Sequence, residues 1–196
     1  MSPPSPRPLR ERQNHVLDVA SELFYARGVH EVGMDELVRA TGYGKATVYR
    51  MYPTKDALIA AYLQRRADRI YAIIDADITR HAGNPARAIR SIFKAVAADV
   101  AGEDFRGCAF NNASIEFADR EHPARAVSRA YREGLVERLR ELARAATPDR
   151  RAARDLADDL ALVIDGMYTS AAHLGPGGPA RRGAALARHL VDERTG

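Results

Sequence analysis

Apolar residues in this 196-residue chain recur at three- and four-residue spacing almost from end to end, with proline or glycine breaking the pattern at intervals. That spacing is the period of a helix with one buried face; a half-buried strand alternates instead. Val16, Ala20, Leu23 and Phe24 open the series at i, i+4, i+7 and i+8, on one stripe. Gly28 follows, where a left-handed cap ends a helix. Shorter helices fit Met34 to Thr41 and Lys45 to Met51, joined by the tight turn Thr41-Gly42-Tyr43-Gly44. Val48 and Tyr52 turn to the core, and Pro53 stops the third helix because proline biases the preceding residue away from helix.

Thr54 can cap a long helix from Lys55 to about His81, in which Leu63, Ala67, Ile70, Ile74 and Ile78 keep the period. Beyond the break at Gly83-Asn84-Pro85, helices fit Ala86 to Ala101, Cys108 to Ala118 and His122 to about Ala146. Two more fit about Asp149 to Leu174 and Pro179 to Glu193, on either side of a glycine-proline loop. No segment alternates over a strand's length, and none repeats. The pattern predicts an all-α fold of about nine helices. Residues 1–8 hold four prolines and no large apolar side chain, and read as a disordered arm.

Composition narrows the function classes. Hydrophobic residues make up 46% of the chain, enough for a core. Cys108 is the single cysteine, so no intramolecular disulfide is possible, which fits a reducing cytoplasm. No stretch approaches the ~18 consecutive apolar residues of a membrane helix. A soluble cytoplasmic protein is expected. The net charge of +4 leans towards nucleic acid or an acidic surface, but mildly for this length.

Three short N-terminal helices, the last two joined by a glycine-containing turn, match the helix-turn-helix plan. The run from Gly33 to Tyr52, Gly-Met-Asp-Glu-Leu-Val-Arg-Ala-Thr-Gly-Tyr-Gly-Lys-Ala-Thr-Val-Tyr-Arg-Met-Tyr, is followed by Pro53, Thr54, Lys55, Asp56, Ala57 and Leu58. It resembles the DNA-binding signature of TetR-family regulators, and the close match covers about residues 12 to 63. The remaining two-thirds is similar to the family in length and helical plan.

The residue types suit the task. Arginine can pair bidentately with guanine, and threonine or tyrosine can contact phosphate or a thymine methyl. Lys55 opens the fourth helix, where its amine joins free backbone N–H groups that favour a phosphate. The resemblance implies DNA contacts from Lys45, Thr47, Tyr49, Arg50 and Lys55. Gly33, Gly44 and Tyr52 complete the candidate set. Both glycines stand where the family usually has serine or threonine caps, so backbone N–H groups must serve there. Tyr52 replaces the usual phenylalanine, a benign core change if its hydroxyl reaches solvent.

The resemblance further implies a C-terminal domain that holds a small-molecule effector and dimerises. It divides the chain into a reading domain over 9–55, with its motif at 33–52, and an effector and dimer domain over 56–196. Candidate ligand contacts are Tyr71, Phe93, Val96, Cys108, Phe110, Asn111, Phe117, Tyr131, Met167 and Tyr168, a set suited to a largely apolar effector. Leu160, Val163, Ile164 and Met167, with Leu186, Leu190 and Val191, form stripes that can pair across a two-fold axis or pack within one protomer. The expected partners are an operator duplex, an effector and a second copy, and the expected mode is ligand-released repression. Cys108 has two readings, a buried small hydrophobe or a sensor thiol for oxidants and electrophiles.

Other lookalikes fail on spacing. Gly42 to Thr47 faintly resembles a phosphate loop, but Arg39 and Ala46 stand where that pattern needs glycine and Ser or Thr. Glu116, Asp119 and His122 lie close in sequence, yet read better as a charged helix terminus than as ligands of a divalent ion. No nucleophile–base pair or metal-ligand spacing points to an enzyme, a cofactor or a metal.

Overall fold

A computed structural model describes residues 8–195, which form nine α-helices and no strand. The expected arm lies outside the described residues apart from Pro8, the residue that precedes the first helix. The helices are α1 (Leu9–Arg27), α2 (Met34–Thr41), α3 (Lys45–Met51), α4 (Lys55–Arg80) and α5 (Pro85–Val100). They continue as α6 (Ala109–Glu116), α7 (Pro123–Ala146), α8 (Arg150–Leu174) and α9 (Gly183–Thr195). None of the described helices is long and apolar enough to cross a membrane.

Local chemistry sets the boundaries. The Thr54 hydroxyl accepts from the Ala57 amide and opens α4. The Asn84 side chain accepts from the Arg87 amide, with Pro85 at the first turn, so α5 starts one residue earlier than its apolar stripe suggests. The Asp149 carboxylate accepts from the amides of Arg151 and Ala152 and opens α8. Gly42 closes α2 at φ 70°, a left-handed conformation that costs glycine nothing. Two expectations change. α6 is shorter than the span from Cys108 to Ala118, because Cys108 and Phe117 are extended residues at its two ends. The last expected helix divides into a 3-10 turn over Pro179–Arg182 and α9.

Two large cores share α4. The first gathers Val16, Phe24, Leu37, Val48, Leu58 and Leu63 from α1 to α4, and extends to Phe110 and Ala113 of α6. The second gathers Ile74 with residues of α5, α7, α8 and α9, among them Phe93, Leu139, Leu156 and Leu160. The first half of α4 therefore belongs to the N-terminal head and its second half to the body, with no break in the helix.

Candidate nucleic-acid interface and ligand cavity

Val48 fixes α3. Its side chain is fully buried in the head core, and on a helix of seven residues this holds the opposite face outward. Gly44, Lys45 and Arg50 are exposed there, and Thr47 and Tyr49 are half-buried. Arg50 has no carboxylate partner among the described residues. Lys45 donates to Asp35 of α2 at 2.8 Å, and its ammonium lies 5.7 Å from the Tyr49 ring centre. That bond to Asp35 holds the Lys45 pKa above, and the Asp35 pKa below, their ordinary values. Lys55 donates to the His30 carbonyl at 3.3 Å, which pins its ammonium beside the loop before α2.

Gly33 and Gly44 cap α2 and α3 in extended conformation with no side-chain bond, and both are exposed. A Cβ at either would meet nothing within 4 Å. Tyr52 turns to the core as its spacing predicts: the chain turns extended at this residue and carries its ring into the head core, 8% exposed, which corrects its inclusion in the candidate DNA set. Burial raises its phenol pKa.

The body holds two neighbouring cavities. One, of about 330 Å³, lies between α4, α5, α7 and α8, against Ile70, Ile73, Ile74, Ile92 and Val96. The other, of about 270 Å³, lies between α6, α7 and α8, against Cys108, Phe110, Asn111 and Ser128. Tyr131, Leu135, Ile164 and Tyr168 line both, so the two are lobes about a common wall. Of the expected ligand contacts, Val96, Cys108, Phe110, Asn111, Tyr131 and Tyr168 line this space.

The other four do not. Phe93 is fully buried in the second core. Tyr71 donates to the Tyr131 carbonyl at 2.6 Å and packs where a Cβ on Gly134 would clash with its hydroxyl at 2.3 Å. Phe117 stacks on His122 at 3.7 Å and lies against His30 at the joint with the head. Met167 fills the space that Gly183 leaves, 2.2 Å from where a Cβ would stand. What the sequence reading missed is the charge: Arg66, Arg69, Asp77 and Asp99 line the first lobe, and Arg125, Arg129, Arg132 and Asp165 the second. These residues lie beside the apolar stripes in sequence, where charges usually face solvent.

Cys108 precedes α6, whose Phe110 and Asn111 amides favour a thiolate, but burial outweighs them and pushes the thiol up. A sensor thiol needs the opposite shift, so its surroundings suit a small lining side chain. The Glu116 carboxylate accepts from the His30 amide at 3.2 Å. His122 faces Asp56 at 3.5 Å, and Asp119 accepts from the Glu121 amide at 2.9 Å, so these three do not converge.

The dimer stripes also need correcting. Leu160, Ile164 and Met167 are at most 4% exposed inside the protomer's own second core, where Val191 is fully buried. Val163 and Leu190 are half-buried against the same core. Leu186 alone of the expected set is exposed, at 47%.

Nine helices among the described residues, with a short third helix facing outward from the head, make the architecture of a helix-turn-helix DNA-binding protein. The profile of the bacterial regulatory proteins of the tetR family matches residues 16–62. A TetR-family transcriptional regulator of Streptomyces coelicolor superposes with a TM-score of 0.88 over 95% of this chain and 97% of that one, at 24% identity. The HTH-type transcriptional activator FasR of Mycolicibacterium smegmatis is 40% identical over 63 residues, 32% of this chain and 29% of FasR. The HTH-type transcriptional repressor ComR of Escherichia coli is 28% identical over 171 residues, 84% of this chain and 81% of ComR. Residues 16–62 carry the DNA-binding module of the tetR family of bacterial regulatory proteins, and the chain as a whole shares the fold of TetR-family transcriptional regulators. The match to FasR spans less than a third of that relative's length.

Proposed function

We propose that this protein is a cytoplasmic homodimeric repressor that binds a palindromic operator and is released by a small-molecule effector. Residues 9–55 form its reading domain and 56–196 its effector and dimer domain. The observation that carries the proposal is α3: Lys45 and Arg50 stand exposed on a helix that Val48 anchors from behind. Arg50 reads a base edge in the major groove, and Lys45, Thr47 and Tyr49 contact phosphate or base edges. Lys55, at the N-terminus of α4, meets a phosphate. The amides that follow Gly33 and Gly44 take the place of hydroxyl caps. FasR is an activator and ComR a repressor, so relatives of both signs exist, and repression is the mode we assign.

The dimer face lies on the outer side of α8 and α9. Leu162 is 67% exposed and Leu186 47%, with the small residues Gly166 and Ala185 exposed beside them. Two copies paired there make a four-helix bundle about a two-fold axis. Such an axis sets two α3 helices about one DNA turn, ~34–36 Å, apart.

Gel shift against duplex from the region flanking its own gene tests the reading. One saturable complex is expected, weakening steeply with salt. Light scattering tests the dimer. A clean monomer at low micromolar concentration, or indifference to every duplex at low salt, overturns the proposal.

A further inference from the structure

The charges around the two lobes are unbalanced in a particular way. Each lining aspartate has a partner within the protein. Asp77 pairs with Arg80 and accepts from Ser91, Asp99 accepts from the Tyr168 hydroxyl at 2.6 Å, and Asp165 pairs with Arg132. Among the described residues, only Arg132 of the lining arginines is matched in return. Arg66, Arg69 and Arg129 have no carboxylate within reach among the described residues, and Arg125 reaches only the Phe117 carbonyl. Arg66 is half-buried, and its guanidinium lies 4.4 Å from the Tyr25 ring centre with no hydrogen-bond acceptor among the described residues.

A second donor stands with it. Tyr131 packs between Phe110, at 3.7 Å and 10° from parallel, and Tyr71, at 5.5 Å. It lines both lobes, yet its hydroxyl has no partner among the described residues. Burial holds that phenol protonated, and the charges of Arg132 and Arg66 are felt at its oxygen. Both residues are half-buried and line the first lobe, where water or a ligand can meet the hydroxyl and the guanidinium. The same lobe is also lined by the aliphatic side chains of Ile70, Ile74, Ile92 and Val96.

We infer that the cavity binds a small amphiphilic organic anion, its carboxylate or equivalent acceptor taken by the Tyr131 hydroxyl and the Arg66 guanidinium and its apolar body laid against the isoleucines of the first lobe. This rests on the ligand-responsive reading above and names the effector's chemical class. The volumes of the two lobes suit a compact molecule. A cationic effector fits worse, because no lining carboxylate is without a partner. Arg66 also ties the site to the head. Tyr25 belongs to α1, and its hydroxyl accepts from the Arg106 amide and donates to the Gly107 carbonyl. An anion that draws the guanidinium inward competes with the Tyr25 stack, so it favours arrangements in which α1 is less tightly held.

Three probes with one tail and different heads test the class: octanoate, octan-1-ol and octyltrimethylammonium, titrated calorimetrically into the full chain without DNA. Octanoate is expected to bind once per chain, about tenfold tighter than either of the others. Tyr131→Phe keeps the ring and removes the donor, and should weaken octanoate about tenfold with the melting curve little changed. Arg66→Gln should bring octanoate and octanol to near parity while octanol itself is unaffected. Preference for octyltrimethylammonium or octanol, octanoate binding indifferent to both variants, or no binding of any probe overturns the inference. The gel shift without ligand is read separately. A chain that binds duplex and takes the ammonium probe loses the anion site alone, and one that takes octanoate but ignores duplex loses the regulator reading alone.

Discussion

The head and the body solve opposite packing problems with the same element. In the head, Val16, Leu37, Val48 and Leu58 are fully buried, and Arg27 with Glu36 and Lys45 with Asp35 pair on the surface. In the body, α4, α5, α7 and α8 stand far enough apart to leave a cavity, and arginines line it. A reader has to present α3 in one orientation, which close packing enforces. A receptor needs vacant space and donors that the protein does not satisfy itself. The difference is one of degree: arginines line the space in the body, whereas Leu37 and Val48 behind α3 are fully buried, and a further cavity of about 310 Å³ lies where the head meets α6, against Phe24, Tyr62 and Ala113.

If that contrast is right, shaving the head core costs far more than shaving the cavity rim. Leu58→Ala should lose about 2–5 kcal/mol in urea unfolding. Ile73→Ala, half exposed beside the cavity, should stay within about 0.5 kcal/mol. Equal losses would erase the distinction. Tyr62 sharpens it from another side. It is 3% exposed in the head core, and burial raises its phenol pKa from 10.0 to about 12. The folded state therefore keeps a proton that the unfolded chain gives up above pH 10, and stability falls as pH rises from there towards 12. The loss should approach about 2 kcal/mol, and Tyr62→Phe should remove that part of the alkaline slope.

The surface of the head should respond through DNA and not through stability. Arg50→Ala should cost about 1–3 kcal/mol of operator affinity and relax preference at one base position, as read by binding to a panel of single-base variants. Lys55→Ala should weaken all duplexes alike and reduce the salt slope by about one. Uniform weakening by Arg50→Ala would place that side chain on phosphate instead. The smallest effect belongs to Gly44→Ser. The added hydroxyl meets open space, and as a cap it should stabilise by a few tenths of a kcal/mol and tighten operator binding slightly.

Much of the fold was legible because helices announce themselves locally. Thr54, Asn84 and Asp149 cap α4, α5 and α8 with their own side chains, and Gly42 ends α2 by its left-handed turn. The boundaries that slipped depend on contacts from afar. Gly183 opens α9 pressed against Met167, sixteen residues earlier in the chain. The outward residues of α3 were likewise readable from spacing around Val48, and so was the inward turn of Tyr52, which the extended backbone completes where the helix ends.

The sequence alone determined the nine-helix plan, the motif around α3 and the charges available to meet DNA, since each depends on residues within a few turns of one another. Tertiary structure alone decided which apolar stripes were already occupied. Leu160, Ile164 and Met167 have the spacing of an interface, and neighbouring helices bury them inside one protomer. It also decided that Arg66 and Tyr131, 65 positions apart and both able to face water on an isolated helix, would line one cavity. Periodicity tells which side of a helix is covered, but the crossing of helices chooses what covers it.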